Sequence, residues 1–164
     1  MVLNLISIPS KPEEIENPNP IIYAHYTLKG LQTGIFVGSG LQIINNLYDM
    51  YLMKTENKFN WMKVGSNAGL FILPGLIILN KSCYDYLSTS IQKNQLTAYE
   101  ILKDQGQHLV DDITFGGLFG GAIIGALQGQ RYIGSILSSA SLGGLAGLLL
   151  GCGIFFYKQD ANRH

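Results

Sequence analysis

Four long stretches without a charged side chain constrain this chain more than any other feature. Gly30 to Tyr48 is 19 residues, Val64 to Asn80 is 17, Ile113 to Gln130 is 18 and Tyr132 to Tyr157 is 26. A bilayer core of about 30 Å takes roughly 20 mostly apolar residues per helix, with a range of about 17–25. The fourth run meets this comfortably and the other three sit at its short end. A soluble bundle built from the same runs would have no amphipathic helix to cover its core.

The 13% charged fraction is about half of the roughly 25% of a soluble domain, although the 47% hydrophobic fraction is ordinary. The 11 basic and 11 acidic residues cancel, and no basic patch calls for nucleic acid. Cys83 and Cys152 form no CxxC motif and have no nearby histidine, so they read as structural thiols. The first 20 residues carry Lys11 against Glu13, Glu14 and Glu16, which is neither a secretory signal nor an Arg-rich presequence.

These features predict an all-α protein, a four-helix transmembrane bundle with short glycine-rich helices. An extended proline-rich arm covers 1–26, with Pro9, Pro12, Pro18 and Pro20 opposing helix there. It is either disordered or laid as a strap along a partner. The membrane domain covers 27–157, with spans at about 27–48, 64–80, 109–128 and 132–157, and 158–164 is a polar tail. Between the second and third spans, 81–107 forms a connector. Its Tyr84, Leu87, Ile91, Ala98 and Leu102 make an amphipathic stripe interrupted by Asn94 and Gln95, suited to a membrane surface or a partner. Gly106 reads as a helix stop.

Every span carries small residues four apart, which lie on one helix face. The first has Gly30, Gly34 and Gly38, and the second has Gly65 and Gly69, with Pro74 as an expected kink. The third has Gly117, Gly121, Gly125 and Gly129, beside Gly116 and Gly120. The fourth has Ser135, Ser139, Gly143, Gly147 and Gly151. Such faces let backbones approach closely in lipid, where the hydrophobic effect cannot drive helix association. The two C-terminal ladders, joined by a five-residue turn, predict a tightly packed hairpin. A phosphate-binding loop is excluded, because no strand precedes these glycines and no GK[ST] follows. Gln32, Gln42, Asn45 and Asn46 are expected to face other helices and hydrogen-bond there. Asp111 and Asp112 read as caps of the third span.

Four spans put both termini on one side. Lys54, Lys58, Lys63 and Arg131 crowd the two short loops opposite, which places those loops inside and the termini outside. The same four side chains are candidates for an acidic lipid head group, such as that of cardiolipin. His25, His108 and His164 have no partner at a catalytic spacing, so no catalytic, cofactor-binding or metal site is expected.

The glycine ladders at Gly117, Gly121, Gly125, Gly129, Gly143, Gly147 and Gly151 resemble those of the Tim superfamily of mitochondrial inner-membrane proteins, over residues 27 to 157. The family signature has an Arg, three residues and an Asp ahead of a glycine segment. Here His108 and Asp112 stand in those places before Gly120, Gly121 and Gly125, with the spacing altered by one residue. The resemblance implies a multi-pass protein of the mitochondrial inner membrane with its termini toward the intermembrane space. The altered signature implies the non-translocating branch, a non-catalytic accessory subunit of respiratory complex I packed against other membrane subunits and phospholipid. The alternative is a subunit of a protein-import translocase, with Gln32, Gln42, Asn45, Asn46 and Asn67 lining a lateral cavity.

Overall fold

Helix boundaries follow from local chemistry. Asn60 caps one helix, its Oδ1 accepting from the Lys63 amide at 3.1 Å. Asp104 caps another, its Oδ1 accepting from the Gln107 amide at 2.9 Å. The computed structural model describes residues 9–53, 59–87, 90–127 and 133–161. These form α1 (Asn19–Tyr51), α2 (Trp61–Leu87), α3 (Ile91–Lys103), α4 (Gln105–Leu127) and α5 (Ile133–Ala161), with a 3-10 turn at Pro12–Glu14. No strand occurs among the described residues. By length and composition α2, α4 and α5 can each cross a membrane.

The helices pair as antiparallel hairpins, α1 with α2 and α4 with α5, and α2 joins α5 between them. The packing is inside-out relative to a water-soluble protein. Buried positions are small or polar, including Gly30, Gly34, Gly38, Ser138, Ser141, Gly144 and Gly147. Large apolar side chains such as Leu70, Leu73, Ile77, Phe119, Ile123 and Leu149 point outward. In lipid this arrangement gains close backbone contact inside and costs nothing outside. A small apolar core of Ile35, Val64, Ala68 and Leu145 sits at the meeting of the hairpins.

The arm differs from the extended reading. Residues 19–26 are the first turns of α1, because Pro20 falls in the opening turn, where a missing N–H costs no helical hydrogen bond. Residues ahead of it do form a strap, but on this chain's own α3. Tyr99 donates its hydroxyl hydrogen bond to the Ser10 carbonyl at 3.2 Å, and Gln95 Nε2 donates to the Ile15 carbonyl at 3.1 Å. Ile15, Ile21 and Ile22 then bury against Cys83, Ala98 and Leu102.

The connector is also reorganised. Helix α2 runs on to Leu87 through Pro74, and α4 begins at Gln105, leaving 13 residues for α3. Gly106 lies in the first turn of α4, and the stop is Asp104. Asn94 belongs to the buried face of α3 with Ala98 and Leu102, whereas Ile91 and Tyr84 are exposed. The face takes an amide because it packs on the polar start of α1, where Asn94 Nδ2 donates to Asn19 Oδ1 at 3.3 Å. Cys83 is buried, and Cys152 is half-buried and free.

Candidate functional site

The glycines fix how closely the helices approach. A methyl group on Gly30 would lie 2.8 Å from the Gly75 carbonyl oxygen, and one on Gly38 would lie 2.5 Å from that of Asn67. At Gly34 it would overlap the backbone of Phe71 and Ile72. In the second hairpin, Gly117 and Gly143 each face the other's carbonyl, Gly121 faces that of Ser139, and Gly147 that of Ile113. Gly151 meets Val110 Cα at 3.0 Å, and Gly125 is buried in α4. Between hairpins, Gly65 meets the carbonyl of Ser138, while Gly69 meets only the Ser141 hydroxyl at 3.3 Å. Gly129 lies outside the described residues.

Three glycines outside the ladders are also closely approached. Gly75 faces the Gly30 carbonyl, Gly144 faces Leu118 and Ile35, and Gly106 lies under the ring of Phe155. Ser138, which lies off the four-residue spacing, is buried and donates to the Met62 carbonyl at 2.8 Å. Conversely, Gly116 and Gly120 have open space where a side chain would go. They line a groove of about 750 Å³ over the second hairpin, together with Met62, Ile113, Leu142 and Leu150.

A charged junction joins the start of α1 to α4. Lys29 Nζ lies 3.0 Å from Asp111 Oδ1 and donates to Gln32 Oε1 at 2.9 Å. Gln32 Nε2 donates to the same Asp111 oxygen at 2.7 Å and reaches Thr114 Oγ1 at 3.4 Å. Asp111 and Gln32 are buried, and the lysine side chain is 28% exposed. Asp111 therefore does not cap a helix. It sits more than a turn inside α4, and Asp104 does the capping. Asp111 Oδ2 is buried without a hydrogen-bond partner among the described residues. Nearby, His108 is buried with its Nε2 3.2 Å from the Leu102 carbonyl.

A second polar group lies toward the other end of α1. Asn67 Nδ2 donates to Gln42 Oε1, Gln42 Nε2 donates to Asn46 Oδ1 at 3.1 Å, and Asn46 Nδ2 reaches the Asn60 carbonyl at 3.4 Å. Gln32, Ser39, Gln42 and Asn46 are all buried, whereas Asn45 is exposed. Gln42, Asn46 and Asn67 thus bond one another, and the Asn67–Gln42 bond crosses the first hairpin.

Of the four basic residues expected at a lipid head group, one falls among the described residues. Lys63 is exposed at the start of α2, and Lys54, Lys58 and Arg131 lie outside the described residues. Among the described residues, no three His, Cys, Asp or Glu side chains are placed to hold a metal ion. Chemically, the arrangement neutralises a lysine and ties helices together. No protein-family model matches the sequence, and no curated protein matches it.

Proposed function

We propose that this chain is a non-catalytic accessory subunit of mitochondrial complex I, a helix bundle that stabilises the membrane arm by packing and lipid contact. In this reading α1 is the fourth span and the termini face the intermembrane space. Helix α1 fits that role despite its amides. Its outward residues are Phe36, Val37, Leu41, Ile44 and Leu47, while Gln32, Ser39, Gln42 and Asn46 face inward. The charge that precedes the apolar run, Lys29, is paired with Asp111.

The observation that carries the proposal is the closure of the interior amides on one another. A translocating subunit needs its polar side chains directed at a cavity. Here Gln42, Asn46 and Asn67 are consumed in mutual hydrogen bonds, and Gln32 is held by Asp111. The groove over the second hairpin is lined by glycine and aliphatic side chains, with Ser139. The interhelical Asn67–Gln42 bond adds cohesion of about 0.6–2 kcal/mol in a membrane. Paired amides offer no path to a polypeptide.

Native-gel separation of solubilised mitochondria, with mass spectrometry of the bands, tests the assignment. Comigration with NADH-oxidising activity is expected. Comigration with import machinery instead would establish the translocase alternative.

A further inference from the structure

Two cavities meet where α4 begins and α5 leaves its apolar run. One, of about 280 Å³, is bordered by Lys29, Asp104, Gln107 and Val110. The other, of about 370 Å³, is bordered by Gln105, Leu109, Lys158 and Gln159. Gly106 and Phe155 line both. The Phe155 ring rests on Gly106 and borders both cavities. Each volume is near the low end of ligand pockets, about 300–1,000 Å³.

The position and the charges together select a ligand. The uncharged run of α5 ends at Tyr157, and Lys158 follows, so both cavities lie at the depth where head groups meet hydrocarbon. Exposed Phe156 and Tyr157 flank them, side chains suited to that interface. Lys29 brings no net charge, because Asp111 neutralises it. What remains is one carboxylate, Asp104, in the first cavity and one ammonium, Lys158, in the second. The carboxylate uses Oδ1 to accept from the Gln107 amide. The opening turn of α4, whose first amides have no partner within the helix, borders both. A purely anionic head group would meet Asp104, and a purely cationic one would meet Lys158.

We propose that these paired cavities bind a phosphoethanolamine lipid head group. Its ammonium donates to Asp104 in the first cavity. Its phosphate lies against Lys158 and the first amides of α4 in the second. The inference needs the chain to lie in a membrane and does not depend on which complex it joins.

The test uses the full chain purified in detergent, with native mass spectrometry after exposure to an equimolar mixture. The mixture contains phosphatidylethanolamine, phosphatidylcholine and phosphatidylglycerol of matched acyl chains. Retention of the ethanolamine lipid is expected to exceed each of the others by about tenfold, since only it can make a charge-assisted N–H bond to Asp104 while satisfying Lys158. Asp104→Asn should abolish that preference without unfolding α4, because Asn caps a helix as well as Asp does. Lys158→Gln, at an exposed position, should reduce retention of the ethanolamine lipid, and Lys63→Gln at the start of α2, away from both cavities, should not. Equal retention of the three lipids, or a preference for either of the other two, overturns the proposal. So does an ethanolamine preference that survives Asp104→Asn.

Discussion

Gly116 and Gly117 are neighbours in sequence and opposite in role. Gly117 touches the backbone of Gly143, and Gly116 borders open groove. Spacing by four marks both the 116/120 and the 117/121 pairs, so periodicity shows a small-residue helix without saying which face is the contact. The longer ladder proved to be the contact face. The isolated glycines Gly75 and Gly106 were not legible, since only the partner backbone or ring gives them a reason. Alanine separates the two roles. Gly117→Ala and Gly121→Ala should each destabilise by about 1–3 kcal/mol, because a methyl group must push two backbones apart. Gly116→Ala and Gly120→Ala should be neutral or stabilising by up to about 1 kcal/mol, through helix propensity alone. Unfolding of the four purified variants in a graded denaturing detergent measures the contrast. Equal losses at both pairs would mean the hairpin interface lies elsewhere.

At the scale of elements, three apolar helices were readable from uncharged runs, and α1 was readable only in part. Its glycine face and its amide face are both interior, so composition dilutes the membrane signal that α2, α4 and α5 carry. The arm and α3 were the least legible. Prolines and a broken stripe describe them separately, and the pairing of Ile15, Ile21 and Ile22 with Ala98 and Leu102 decides both. Ala98 is wholly buried at that contact. Ala98→Leu should overpack it by about 1–3 kcal/mol. The arm and α3 would detach while the glycine hairpins stay folded. Hydrogen exchange should then rise across residues 9–22 and 91–103 and remain unchanged across 113–127. A uniform rise along the chain would show that α3 is integral to the bundle and not a clasp upon it.

The whole molecule is two hairpins, and the means of joining them were the part of the candidate site hidden from the sequence. Lys29 and Asp111 are 82 positions apart, and neither sits inside an uncharged run, so nothing local links them. Glycine contact between Gly65 and Ser138 brings α2 to α5, and the ion pair brings α1 to α4. Burying two charges near lipid is costly, and their attraction with the Gln32 and Thr114 contacts offsets that cost only while both are present. Asp111→Leu alone leaves an ammonium without its counterion. Lys29→Met alone leaves a carboxylate held by Gln32. Each should cost about 2–3 kcal/mol, below the roughly 3–5 kcal/mol of a fully enclosed pair because the lysine is partly exposed. The double variant removes both charges and should recover most of the loss. A double-mutant cycle on thermal unfolding in detergent reads this directly. If the double variant instead costs the sum of the two singles, the pair is not coupled. The hairpins would then be held together by the α2–α5 contact and the apolar core of Ile35, Val64, Ala68 and Leu145.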